Sequence, residues 1–497
     1  MEDIKRALAV TITARGWAAV LGLLAVPIYI SQLGIEAYGV VGFFASLQVL
    51  VSFLDLGMGT TLVRELARAP GDKAGRAHAR DLTRTFELAY VLVGTIVGGI
   101  IAISASVVAH KWINPVNLTP AEVSSALTLA AVALICQWPS TLYGSGLTGV
   151  HRQTTFGIAT SILSTVRIMV TVLVIHVQPD VHSFFLAQIF AAVLQTLTLR
   201  YLLWQQLPLD GHWPKSSMTP LRNVFGFAGG MTAISLTSLV LTQADKIILS
   251  NTLSLRDFGV YVVASTLASS LYVVVGPLFQ IFLPSLSRLV QSGGEEEIAE
   301  FFQKACEAVS VLVLPGAVVV AIYAKEILYL WTGDSSISAM AASVLSFLII
   351  GNACNAVMNA PFALQLAFGW TRLALYANLL SIVILTPMTI WAVTVWGGVG
   401  GAATWFLLQV AVVIIVPSVM HARLLPSQKF IWYKNALLIP FVLPIVFAGS
   451  ISFVEFDRQS TSEIILFVFM SWVAASSANA LFLPHSRALA VRLVSKH

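Results

Sequence analysis

Charge is what this chain has least of. Asp, Glu, Lys and Arg together make up 10% of its 497 residues, against about 25% in a soluble domain. Too little polar surface is left to cover a water-soluble globule, so a sizeable soluble domain is excluded. Cysteine is scarce as well. Cys136, Cys306 and Cys354 lie in or beside apolar segments without CxxC spacing, which suggests neither a metal centre nor a disulfide framework. There is no Walker A sequence, no HExxH, no GxSxG and no pair of carboxylates placed for glycosyl chemistry. ATP is therefore not the direct energy source, no enzyme class is indicated, and no cofactor is implied. The polar stretch 1–7 leads into an apolar run, Leu8 to Leu33. That run is too long for a signal h-region and lacks an A-x-A site, so it is expected to be the first span.

What the chain has in abundance is apolar sequence: 57% of residues are hydrophobic and the mean hydropathy is +0.86. Windows of about 19 residues give fourteen candidate spans. They lie near 9–33, 38–62, 85–110, 123–147, 155–177, 183–205, 224–250, 259–284, 305–324, 338–366, 373–396, 399–420, 436–455 and 464–484. Bare backbone polar groups are intolerable in lipid, so these runs are expected to be helices. The fold class is all-α and polytopic.

The net charge of +5 is spread over short loops, which argues against nucleic acid as a partner and for topology-setting. With the N-terminus inside, 21 of the 28 basic residues fall on the cytoplasmic side and four outside. An even number of spans returns the C-terminus to the cytoplasm. The expected location is the cytoplasmic membrane, with membrane lipids as surroundings. The segment Arg64–Arg84 reads as a basic loop that sets topology or meets anionic headgroups.

The chain also repeats itself at an offset of 220 residues. Glu36-Ala37-Tyr38-Gly39 aligns with Arg256-Asp257-Phe258-Gly259, Arg84 and Glu87 with Lys304 and Glu307, and Gly149 and Arg152 with Gly369 and Arg372. Six spans per repeat makes two parallel halves, 1–208 and 221–425, with 426–497 as an added helical pair. Such duplication suits alternating access. A channel could also be built this way.

The stretch Leu33-Gly34-Ile35-Glu36-Ala37-Tyr38-Gly39, then Asp55-Leu56-Gly57 and Arg64-Glu65-Leu66-Ala67, resembles the first hairpin of bacterial polysaccharide-biosynthesis membrane proteins. That family includes O-antigen and exopolysaccharide flippases of the multidrug/oligosaccharidyl-lipid/polysaccharide exporter superfamily. Gln243-Ala244-Asp245-Lys246-Ile247-Ile248-Leu249 with Phe258-Gly259-Val260-Tyr261 looks like its second-half signature. The resemblance covers about residues 1–425. It implies a MATE-like fold that flips an undecaprenyl-diphosphate-linked oligosaccharide for O-antigen, capsule or exopolysaccharide synthesis. Glycosyltransferases and a glycan polymerase are the implied partners. Many members look twelve-spanned, whereas lipid II flippases of the superfamily have fourteen spans, as here.

Several polar residues lie inside spans. Arg167 falls about 18 Å into the fifth, near the midplane. It reads either as a contact for a diphosphate or acidic sugar, or as half of a structural pair. Arg15 and Asp55 sit on adjacent helices and read as a buried ion pair or as a gated pair admitting an anionic headgroup. Asp245 and Lys246 near the outer end of the seventh span are candidates for gating or ion coupling. Asn352, Asn355 and Asn359 share one face of the tenth span, suited to sugar hydroxyls or to interhelical bonding. Glu87 and Glu307 each follow a basic residue at i−3, so local pairs are expected. Pro27, Pro277, Pro284 and Gly229-Gly230 mark candidate kinks or hinges.

Three functions compete. A lipid-linked oligosaccharide flippase wants cations for its substrate. A MATE-type cation or drug antiporter wants a carboxylate-rich cavity. A membrane polymerase or ligase wants a large outer loop, and the longest outside segment is about a dozen residues. The intramembrane set Arg15, Arg167 and Lys246 against Asp55 and Asp245 favours an anionic substrate.

Overall fold

A computed structural model describes residues 2–52, 55, 57–69, 72–207, 229–454 and 460–487; the side chains of 2–12, 15 and 229–232 also fall outside the description. Helices follow one another with tight connections. They are α1 (Glu2–Leu33), α2 (Ile35–Ser52), α3 (Met58–Arg68), α4 (Lys73–Lys111), α5 (Pro120–Gln137), α6 (Pro139–Gly149), α7 (Gln153–Val177) and α8 (Val181–Gln205). Then come α9 (Gly229–Thr252), α10 (Leu255–Ser269), α11 (Tyr272–Ser292), α12 (Glu295–Ile322), α13 (Ala324–Thr332), α14 (Ser335–Val357), α15 (Asn359–Ala367) and α16 (Thr371–Leu424). A helical run α17 (Pro426–Ser452) and α18 (Thr461–Phe482) close the described chain.

Thirteen of the described helical runs are long and apolar enough to cross a membrane. The longest, α16, has 54 residues and folds back at Gly397, whose φ of 58° and ψ of −140° are not helical. At about 1.5 Å per residue it is more than twice the length one crossing needs. It therefore supplies two crossings, divided where the sequence places the gap between the eleventh and twelfth spans. Glycine is required there twice over. Gly397 takes a positive φ, and a methyl on Gly400 would run into the Ala392 carbonyl. Large apolar side chains point outward along these helices, among them Ile103 at 84% exposure and Val177 at 85%. In water such a surface would aggregate; against acyl chains it costs nothing.

Residues 1–259 and 260–497 form two compact units. In the first, α1 packs on α7, α4 on α5, α5 on α8 and α3 on α6. In the second, α14 packs on α16, and α12 lies against α14, α17 and α18. The last pair is fastened to α12 by a core of Val319, Tyr323, Ala448 and Ala475 and by a Tyr323–Ser471 hydroxyl bond of 3.0 Å. Element boundaries follow the sequence offset. Helices open at Ile35 and at Leu255, and helical runs are interrupted at Trp138 and at Met358, 220 positions apart in each case.

Two expectations need correction. The second span is not one helix: α2 stops at Ser52 and α3 starts at Met58. The Asp55 carboxylate lies in that break and accepts the Gly59 N–H at 3.1 Å. The basic segment 64–84 is not a loop. Arg68 ends α3 and Lys73 opens α4, with the Asp72 side chain capping α4 by accepting from Gly75 N. Pro277 and Pro284 lie inside α11, and the helical run is interrupted between Ser269 and Tyr272. Pro27 likewise lies inside α1, and Gly229-Gly230 open α9.

Candidate functional site

The first unit carries a polar cluster inside the membrane-crossing helices α1, α7 and α8. Arg167 stands on α7. Its Nε and Nη2 atoms are buried and find no hydrogen-bond partner among the described residues. Around it, the Tyr29 side chain of α1 meets Thr171 one turn along α7 and interacts electrostatically with Arg167. Gln188 of α8 donates to the Thr171 hydroxyl at 3.1 Å, and that hydroxyl donates to the Arg167 carbonyl at 2.8 Å. Trp17 of α1 donates to Thr165 at 3.0 Å, tying the same two helices together. The Tyr29 ring sets its edge against Phe184 at 5.2 Å. The neighbours are hydroxyls, an amide and aromatic faces. No carboxylate bonds to this guanidinium, so the structural-pair reading finds no partner for it among the described residues. Buried guanidinium donors without a partner are costly unless an anion or water reaches them, and the planar fork suits a phosphate or carboxylate.

The asparagine face is engaged otherwise. Tyr272 of α11 donates to Asn355 at 3.1 Å, Trp405 of α16 donates to Asn352 at 3.0 Å, and Asn355 donates to Gln409 at 3.2 Å. Asn359 turns back on its own helix, donating to the Ala356 carbonyl at 3.0 Å. This network ties α11, α14 and α16 of the second unit together. Asp245 is buried on α9 and Lys246 beside it is half-buried. Arg15 lies in α1, and its side chain is outside the described residues.

The two repeat-related glutamates differ in their company. Glu87 forms the expected local bond, accepting from Arg84 at 2.6 Å, but also accepts from Tyr143 of α6 at 2.7 Å and from Arg200 of α8 at 2.5 Å. Glu307 makes no pair with Lys304, which turns to Glu300 instead. It accepts from the Ser486 N–H at 2.7 Å and contacts His485 Nδ1 at 2.9 Å, fastening the chain after α18. Tyr143, Arg200 and His485 were not legible as partners, because each comes from a distant helix. The signal available was the charge itself: Glu87 and Arg200 border long uncharged stretches.

Comparison with known proteins agrees with this architecture. Residues 33–341 match the sequence pattern of the family described as polysaccharide biosynthesis protein. A Shigella flexneri protein described as an O-antigen transporter is 20% identical over 374 residues, covering 75% of this chain and 87% of that one. The lipid II flippase MurJ has a similar fold, with a TM-score of 0.67 and 12% identity over 94% of this chain and 97% of that one. A multidrug resistance MATE family transporter of the MOP superfamily is also similar, with a TM-score of 0.66 and 14% identity over 83% and 96%. This chain thus belongs to the polysaccharide biosynthesis protein family, as a multi-pass membrane transporter with the fold shared by MATE transporters and the lipid II flippase.

Proposed function

We propose that this protein flips an undecaprenyl-diphosphate-linked oligosaccharide from the cytoplasmic to the periplasmic leaflet of a bacterial inner membrane, by alternating access of two six-helix halves. The observation that carries the proposal is Arg167. A cation on a membrane-crossing helix, with two buried donor atoms that find no partner among the described residues, suits an anionic ligand. A lipid diphosphate is an anion that a membrane protein of polysaccharide synthesis has to move. Arg167 serves as the phosphate contact, and Tyr29 and Gln188 supply neutral polar neighbours that do not compete for it. Arg15, Asp55, Asp245 and Lys246 are assigned to substrate entry, gating or ion coupling, and the asparagine face of α14 to supporting the helices beside the glycan path.

The test is glycan display on the surface of a deletion strain, with the membrane level of each variant measured. Arg167→Ala should insert normally and restore little display. Full restoration would remove the anion-binding reading. A drug or cation antiporter predicts the opposite chemistry. Its substrate wants carboxylates, and none bonds to the polar cluster of α1, α7 and α8 among the described residues.

A further inference from the structure

Arg167 is not the only arginine held ready. Along α4, Arg80, Arg84 and Glu87 fall on one helical face at i, i+4 and i+7. The Glu87 carboxylate is buried, at 3% exposure. One of its oxygens accepts from Arg200 Nε and from the Tyr143 hydroxyl, and the other accepts from Arg84 Nη1. Two guanidiniums from two helices are thereby fixed side by side by one carboxylate. Both stay open to the surroundings: the Arg84 side chain is 38% exposed and that of Arg200 is 44% exposed.

A third cation joins them. Arg80 lies over the Trp204 ring at 5.3 Å and Arg200 over the same ring at 5.9 Å. Arg80 donates Nη1 to the Leu207 carbonyl at 2.7 Å, while its buried Nε finds no partner among the described residues. Two guanidiniums thus share one indole, Glu87 joins the third, Arg84, to Arg200, and Glu87 is the one carboxylate among the described residues that bonds to any of the three. Two positive charges are left over. Like charges packed this closely repel, and an anion is the natural relief.

Depth narrows the anion. Glu87 is the last charged residue of α4 before the uncharged run 88–109, and Arg200 is the first after the stretch 183–199 of α8. A run of about 20 uncharged residues spans the hydrocarbon core, so the cluster sits where lipid phosphates lie. The basic-residue count assigns this end to the cytoplasm. The repeat-related position in the second unit makes the contrast. Glu307 there holds the backbone of Ser486 and the ring of His485, and orients no arginine among the described residues.

We infer that Arg84 and Arg200, oriented by Glu87 and Tyr143 and backed by Arg80 over Trp204, form a binding site for the phosphate of a membrane lipid. It is a second site, apart from Arg167. The polyprenyl diphosphate as its occupant rests on the function proposed above; an anionic phospholipid carries the same chemistry.

The experiment uses the full chain in phosphatidylcholine nanodiscs, titrated with labelled undecaprenyl diphosphate. The Arg84→Gln/Arg200→Gln double variant should bind about tenfold more weakly or worse, as expected for losing charge-assisted bonds. Undecaprenol, which has no phosphate, should bind both proteins alike. Competition by added phosphatidylglycerol identifies bulk lipid as an occupant, and its failure to compete identifies the diphosphate; both keep the site. The same titration in an Arg167→Ala background removes the contact proposed above, so the binding that remains is the one Arg84 and Arg200 supply; its loss on adding the double change speaks to this site alone and separates the two readings. If the double variant accumulates poorly, Arg200→Gln alone carries the same readout, since that side chain is well exposed. Unchanged binding by a variant with unchanged melting temperature overturns the inference.

Discussion

Gly39 and Gly259, 220 positions apart in sequence, lie against each other in a reciprocal contact. A methyl on Gly39 would come within 2.6 Å of the Leu255 carbonyl oxygen, and a methyl on Gly259 would run into the carbonyl oxygen of Ile35. Ile35 and Leu255 are themselves 220 apart. Each glycine thus meets the repeat-equivalent of the residue one turn before it, as at a self-complementary interface. The first turns of α2 and α10 approach so closely that only hydrogen fits between them.

Gly39→Val should therefore lower stability by about 1–3 kcal/mol or more, because the obstacle is backbone and cannot rotate away. Gly99→Ala, where a methyl meets nothing within 4 Å, should be tolerated. Thermal melting of both variants in detergent checks this. Equal melting points would mean that the α2–α10 approach relaxes freely.

Glu36 is buried at the start of α2 and accepts from the N–H groups of Val116 at 2.6 Å and Asn117 at 2.9 Å, and from the Asn117 side chain at 2.9 Å. Glu36→Gln removes the charge and turns an amide donor towards donors. The expected loss is about 1–3 kcal/mol of stability, read as a fall in melting temperature with helix content preserved by circular dichroism. A variant as stable as the parent would show that water replaces the carboxylate.

Arg167→Lys keeps the charge and loses the planar fork. Transport should survive in part, whereas Arg167→Ala and Arg167→Gln should each fall by about tenfold or more per lost charge-assisted bond of roughly 1.5–3 kcal/mol. Flipping rates in reconstituted vesicles give the comparison. A lysine variant as inactive as alanine would point to shape rather than charge at this position.

Asn355 both accepts from Tyr272 and donates to Gln409. Asn355→Ala and Tyr272→Phe should each cost stability of about 0.6–1.7 kcal/mol, the measured range for bonds between membrane helices, with transport per inserted molecule unchanged. The reverse pattern, normal melting with slowed transport, would place the asparagine face on the glycan path.

The sequence by itself determined the class of this protein. Scarce charge and recurrent apolar runs leave helices in a membrane as the one stable arrangement, because lipid forgives no bare backbone. The offset of 220 was readable because polar matches at span edges kept it, and helix boundaries at Ile35 and Leu255 fall on it; Arg167 stood out because a charge deep in an apolar run is expensive wherever it points. Tertiary structure decided what each polar group meets. Arg200 reaches Glu87 across 113 positions and Trp405 reaches Asn352 across 53; neither helical periodicity nor hydropathy encodes which helix packs beside which. The same physics explains the misreadings. A hydropathy window averages over the bend at Asp55, where one carboxylate capping Gly59 starts a new helix in the middle of an apolar run. Local spacing would pair Lys304 with Glu307, but packing carries the chain beyond α18 onto that carboxylate, and Lys304 turns to Glu300.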